Sequence, residues 1–292
     1  MAFLRGVGLV ATVVAALVAW PDAWHSTWAG PADGAATKLP ASACDRTAFR
    51  LVVDVGHTAE SPGAKSARGV GEYDFNLRLA TLIEQDLLRA GFGKTVLLIT
   101  DGPTRPGLAE RVGRANALSA DLLLSIHHDS VPDRFLEGWE YEGEKHYYSD
   151  RFKGHSIFVS NENVDAGASL MFGRLLGEEL KGRGLQYTPH YVEKFMGHRQ
   201  RLLVDARAGV YRYDQLIVLR KTHMPAALLE AGSIINRDEE MLMSSHEHQA
   251  LISAAVTGAV DSFCALRRPR QPDRVRATTV AKPPLPVSAG AR

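Results

Sequence analysis

Charge of one sign, cysteine, repeats and long apolar runs are all scarce in this sequence, and each scarcity removes a class of protein. Lysine and arginine number 34 against 33 acids, a formal net charge of +1. Nothing in that total points to nucleic acid or to an anionic membrane surface. Two cysteines, Cys44 and Cys264, allow a single internal bridge. No segment repeats, so a solenoid is not in view. The extended apolar run at the amino terminus, Gly6 to Trp20, has 15 residues, short of the roughly 20 that cross a bilayer. What is plentiful is apolar sequence in short pieces, 45% of 292 residues, enough for one sizeable α/β domain with insertions.

The amino-terminal run follows a single cation, Arg5, and stops at Pro21. That is the layout of a secretory signal peptide over residues 1–23, with cleavage after Ala23 or near Ala29-Gly30; an uncleaved anchor is the alternative. Export implies the periplasm or the extracellular cell envelope, with no stable membrane span after processing. An oxidising compartment suits the two cysteines. Cys44 precedes the first core strand and Cys264 ends the last helical pattern, so a disulfide is expected to tie the ends of the domain together. Residues 24–46, rich in Ala, Gly, Pro and Thr, read as linker. Residues 267–292 are basic and Pro-rich and read as a disordered tail. The folded domain then occupies 47–266.

Within it, Phe49–Val55 reads as a strand, and Phe75, Leu79, Leu82, Ile83, Leu87 and Ala90 recur at helical spacing up to Gly91. Val96–Thr100 is a second strand, Leu108–Leu118 a second helix and Asp121–Ser130 a buried strand. This β-α-β-α-β order predicts an α/β fold, a single domain with a largely parallel central sheet and helices on both faces. Further on come a strand at His155–Ser160, a helix from Ala168 to Leu180, strands at Gln215–Leu219 and Ala226–Gly232, and a last helix from Glu239 to Leu266. Two charged stretches without periodicity, 131–153 and 186–206, read as irregular insertions.

In such sheets the carboxyl ends of the strands face the ligand. His57 follows the first strand, His127 ends the third, Glu72 opens the first helix and Glu230 ends the very apolar strand beginning at Ala226. Adjacent strand residues face opposite ways, so His127 and His128 are not expected to enter one site together. His128 and Asp129 are then supporting groups, one of them orienting a ligand imidazole. For Glu72 the alternative is a first-turn carboxylate complementing the helix dipole. For Glu230 it is a salt bridge, with Arg220 as the candidate partner, because an unpaired buried carboxylate costs several kcal/mol.

Asp54-Val55-Gly56-His57 with Pro62-Gly63-Ala64, Glu72 with Asn76-Leu77, and Leu108 with Arg111 stand in a particular order along the chain. Ala115-Asn116, Ala120-Asp121, Ser125-Ile126-His127, and then Pro225, Leu229-Glu230, Gly232 and Asn236 continue it. In this order and spacing the chain resembles the zinc-dependent N-acetylmuramoyl-L-alanine amidases of bacterial cell-wall turnover, the amidase-3 family, over most of residues 50–262. It departs from the family at Val55, Thr58-Ala59, His128-Asp129, Ala231 and Ser233. The resemblance implies His57, Glu72 and His127 as zinc ligands and Glu230 as the catalytic acid/base. Two imidazoles and one carboxylate leave a fourth coordination position open, the pattern of a catalytic zinc site.

The implied reaction is hydrolysis of the amide between N-acetylmuramic acid and L-alanine of the peptidoglycan stem peptide, in wall turnover or daughter-cell separation. Peptidoglycan is the partner, with a protein activator possible. Arg199, Arg201 and Arg207 are candidates for holding the substrate's carboxylates. Some relatives keep the zinc covered by an inserted segment, and 131–153 or 186–206 is expected to act so here, with an acid at the open position. The competing readings are a zinc carboxypeptidase-like hydrolase of wall peptides and a wall-binding protein with a decayed site.

Overall fold

The computed structural model describes residues 44–267. The expected signal peptide, the linker up to residue 43 and the tail from residue 268 lie outside the described residues. Chain order is β1 (Arg50–Val55), α1 (Glu72–Arg89), β2 (Lys94–Leu98), α2 (Thr104–Ala117) and β3 (Leu122–Asp129). There follow a hairpin of β4 (Glu137–Tyr141) and β5 (Glu144–Tyr148), then β6 (Ser156–Val159), α3 (Ala166–Gly182), β7 (Leu202–Asp205) and β8 (Val210–Arg212). The chain closes with α4 (Ile217–Arg220), β9 (Ala226–Ser233), α5 (Arg237–Ser244) and α6 (His246–Leu266).

Seven strands form one sheet in the order β2-β1-β3-β9-β6-β8-β7. β2, β1, β3 and β9 run parallel, while β6 is antiparallel to β9 and β7 antiparallel to β8. The α/β fold with helices on both faces is thus present. Strand alternation divides the core. Leu51, Val53 and Val55 of β1, Leu122, Leu124 and Ile126 of β3, and Ala227 and Leu229 of β9 meet the buried faces of α1, α3 and α6. Val52, Leu123, Ala226 and Leu228 point the other way, toward Leu108, Val112 and Ala115 of α2 and Val218 and Leu219 of α4. That parity puts position 127 of β3 and position 230 of β9 on the α2 side.

α1 forms because Phe75, Leu79, Ile83 and Leu87 fall four apart on one stripe, all of them buried, with Glu72 and Asp74 favourable in its first turn. α6 is, by length and composition, apolar enough to cross a membrane. Here it packs against α1 and α3, and Cys264 near its end is disulfide-bonded to Cys44, with Cα atoms 5.1 Å apart. The bridge closes a separation of 220 residues, which on chain-entropy grounds restricts the unfolded state by about 5 kcal/mol.

Several expectations change. The segment 131–153 is an ordered hairpin with its two-residue turn at Glu142-Gly143, both at positive φ (53° and 81°), the twist that suits a hairpin. Residues 186–206 hold two 3-10 turns and β7. The strand expected at 215–219 is a short helix, and the strands that complete this end of the sheet lie earlier, in β8 and the edge strand β7. The last helix is two, interrupted at Ser245, whose side chain accepts from the His248 N–H and caps α6.

Candidate metal centre

Gly56 directly follows β1, and its N–H donates to the Ile126 carbonyl at 3.0 Å and so stays in step with β3. The next residue, His57, turns out of the sheet with φ 65°, a left-handed conformation that costs a residue with a Cβ about 1–2 kcal/mol. A buried charge network meets the resulting turn. Arg111 of α2 donates from Nη2 to the His57 carbonyl at 2.6 Å and to Thr100 Oγ1 at 2.6 Å. Its Nε lies 3.1 Å from Asp54 Oδ1, and Ser125 Oγ donates to Asp54 Oδ2 at 2.6 Å. Asp54 and Arg111 are both buried, so this ion pair fixes α2, β1 and β3 around the histidine.

The His57 imidazole reaches Glu72, with Nε2 3.0 Å from Oε2, and His127 comes from β3 with Nδ1 2.9 Å from Glu72 Oε1. One donor atom from each of the three residues lies within 4.8 Å of the other two. Two ligands of a tetrahedral zinc stand about 3.4 Å apart, given bonds near 2.1 Å, so the set fits a divalent ion. The backbone makes room for it. A Cβ on Gly63, at φ 79°, would come 2.5 Å from Glu72 Oε2 and 2.7 Å from His57 Nε2. One on Gly56 would come 2.4 Å from His127 Nε2.

Glu72 is held from behind. Asn76, one turn later in α1, donates from Nδ2 to Glu72 Oε1 at 3.2 Å and to the Gly56 carbonyl at 3.1 Å. The Ala64 N–H donates to Glu72 Oε2 at 3.2 Å. His128 is buried, with Nδ1 2.8 Å from Asn76 Oδ1, and burial drops its pKa to about 3. It therefore supports the Glu72 carboxylate through Asn76, where an imidazole was the expected object. Burial raises the Glu72 pKa, but the hydrogen bonds and charges of His127 and His57 outweigh it and leave the group well below the carboxylate range.

Glu230 sits opposite His127 in the β3–β9 register. Its Oε2 is buried with no hydrogen-bond partner among the described residues. Burial, then the charges of Asp129 and Glu72, push its pKa well up, against the pull of Arg199. The salt bridge considered with Arg220 is absent, since Arg220 meets Glu162 at 3.3 Å. His57, His127 and Glu230 line one cavity of about 360 Å³, walled mostly by apolar side chains such as Phe158, Tyr191 and Leu228.

The insertion 186–206 supplies a wall of this cavity. Arg199 and Arg201 line it, whereas Arg207 is exposed and pairs with Glu178. Tyr191 donates from its hydroxyl to Asp129 Oδ1 at 2.8 Å, and Arg199 Nη2 donates to the Ser130 carbonyl at 2.7 Å. In the other insertion, Glu137, Glu140, Glu142 and Glu144 are all exposed. Glu137 accepts from Tyr148 and Glu144 lies 3.9 Å from His146.

The sequence profile of the Amidase_3 family, described as N-acetylmuramoyl-L-alanine amidase, matches residues 51–262. The chain belongs to this amidase family. It is a hydrolase, and its reaction is cleavage of a peptidoglycan amide. It is similar to the probable cell wall amidase LytH of Staphylococcus saprophyticus, 23% identical over 84% of this chain and 66% of that protein's length. It is also similar to the N-acetylmuramoyl-L-alanine amidase CwlM of Bacillus licheniformis, 26% identical over 73% of this chain and 68% of the other. In fold it matches the crystal structure of the amidase Ami1 from Mycobacterium smegmatis, with a TM-score of 0.56, 17% identity, and 76% and 99% of the two chains covered.

Three supporting features of the amidase escaped the sequence reading. The contact from Arg111 to the His57 carbonyl, the route from His128 through Asn76 to Glu72, and the Tyr191–Asp129 bond are tertiary. Only the adjacency of two histidines and an aspartate at the end of one strand hinted at them.

Proposed function

We propose that the chain is a zinc-dependent N-acetylmuramoyl-L-alanine amidase in which His57, Glu72 and His127 hold the ion and Glu230 is the acid/base. The observation that carries this reading is the pairing of Glu230 with His127 across β3 and β9, with both residues and His57 on one cavity. When bound, zinc supplies Lewis acidity toward the scissile carbonyl and lowers the pKa of water. The protein's own groups do the rest. Glu230 takes a proton from the attacking water through Oε2 and delivers it to the departing alanine nitrogen. One carboxyl thus serves both halves, and the upward shift that burial gives its pKa suits a group that must both take and return a proton. Asn76 and the Ala64 N–H hold the Glu72 carboxylate, and the apolar wall excludes bulk water from the reacting carbonyl.

Export and a cell-envelope location complete the proposal, supported by the amino-terminal pattern of residues 1–23 and by the cell-wall amidases among the relatives. The domain so exported spans 47–266. The test is metal content beside product analysis on intact sacculi. Wild type is expected to carry one zinc and to release stem peptides with a free alanine amine, leaving a lactyl carboxyl on the glycan. Glu230→Ala should keep the zinc and lose turnover, and His57→Ala should lose both. Release of single amino acids from the stem, with the lactyl amide intact, would refute the assignment.

A further inference from the structure

Among the described residues, Arg201 is the cation of the cavity that meets no carboxylate. It lines the same space as His57, His127 and Glu230. Its guanidinium carbon lies 3.6 Å from the centre of the Tyr213 ring, stacked on it. Nη1 donates to the His198 and Gln200 carbonyls, both at 2.8 Å, while Nε is buried without a partner among the described residues. Its neighbour Arg199 differs, having Asp129 at 3.5 Å and the Ser130 carbonyl at 2.7 Å. Arg207 lies outside the cavity, paired with Glu178. A guanidinium stacked on an aromatic face and anchored through Nη1, with no carboxylate partner among the described residues, keeps Nη2 for an anion in a mostly apolar cavity.

Resting on the amidase reading, we propose that Arg201 is a carboxylate subsite that makes the enzyme prefer stem peptides whose second residue carries a free carboxylate. A cavity of about 360 Å³ has a linear dimension near 7 Å, roughly two extended residues at 3.3–3.6 Å each. The first residue is the alanine whose nitrogen leaves. The second is a glutamate joined through its side-chain carboxyl, so its α-carboxyl is the first anionic group to enter, present either as the acid or as its amide. The amide can still accept through its carbonyl oxygen but carries no charge, so discrimination comes from the lost charge assistance.

The experiment compares N-acetylmuramoyl-L-alanyl-D-isoglutamate with its isoglutamine amide. Binding is read calorimetrically on zinc-loaded Glu230→Ala protein, which needs no turnover. The free acid is expected to bind at least about tenfold more tightly, the scale of one charge-assisted contact. Adding Arg201→Gln should bring the ratio near one. Arg201→Lys should retain part of it, because the charge survives without the planar group held on Tyr213, and it supplies the comparison if the glutamine variant does not fold. In the active protein Arg201→Gln should raise KM for the acid with kcat little changed. A ratio near one with Arg201 intact, or an undiminished ratio in Arg201→Gln, overturns the proposal. If the wild-type enzyme cleaves neither compound nor sacculi while the binding ratio holds, the amidase reading fails and the carboxylate subsite stands.

Discussion

Replacing Arg111 by Met separates two things that this side chain does at once. It neutralises Asp54 in a fully buried setting, at 3.1 Å, and it donates to the carbonyl of a histidine held at φ 65°. Leaving a buried carboxylate without its partner costs about 3–5 kcal/mol, which in a domain of this size lowers the midpoint of thermal unfolding by roughly 10 °C. Adding Asp54→Asn removes the orphaned charge and should restore much of that stability. Metal affinity should behave differently. Without the bond to its carbonyl, the turn at His57 loses what offsets its left-handed conformation, a cost of about 1–2 kcal/mol. The imidazole then relaxes away from Glu72, and affinity should fall 10–100-fold, as when a group supporting a ligand is lost. Chelator competition on the single and double variants measures this directly. Stability should recover in the double variant while affinity does not. If zinc affinity stays within twofold of wild type in Arg111→Met, the positioning argument is wrong.

Gly63→Ala should cost at least 100-fold in metal affinity, with only about 1–2 kcal/mol of stability from the positive φ, because the new Cβ would lie 2.5 Å from Glu72 Oε2; unchanged affinity by dye competition would contradict the cradle. His155, buried and far along the chain from the proposed metal donors, has its pKa lowered by burial from 6.5 to about 4. The unfolded chain therefore takes up a proton that the folded one refuses as pH drops from about 6.5 to 4, and stability is lost across that window, by about 3 kcal/mol. Relative to wild type, His155→Leu should gain about that much stability in urea titrations between pH 7.5 and 4; a constant difference would show that the imidazole is not neutral when folded.

How much of this was legible before the fold was known depends on the length of chain each feature needs. α1, with Phe75, Leu79, Ile83 and Leu87 on one stripe, shows its period within a single element. β1, β3 and β9 are apolar enough on both faces to read as buried strands. β8 has three residues, Val210–Arg212, too few for alternation to register. Ile217, Val218 and Leu219 carry strand propensity yet sit in a helix, because Val218 and Leu219 pack against the α2 side of the sheet. The hairpin did carry a signal, Glu142-Gly143 between stretches with aromatics at alternate positions, Trp139 and Tyr141 against His146 and Tyr148. Its many charges hid it, since an exposed two-stranded ribbon packs too little to need apolar alternation.

The candidate site was legible for a related reason. Alternation along β3 carries parity from Leu123 through Ser125 to His127, and along β9 from Ala226 through Leu228 to Glu230. Both strands are buried on two faces, and a slip of one residue would send Glu230 to the α1 side and Leu229 into the cavity, so register is tightly specified. Parity continues past His127 although the pairing shifts between His127 and Asp129. His128 turns to Asn76 on the α1 side, away from the cavity that His127 lines, and Asp129 returns to the side of Tyr191 and Arg199. Alternation along one strand sets the side each residue takes but not its partner, and so the route through Asn76 and the contacts of Asp129 were the part of the site that sequence could not supply.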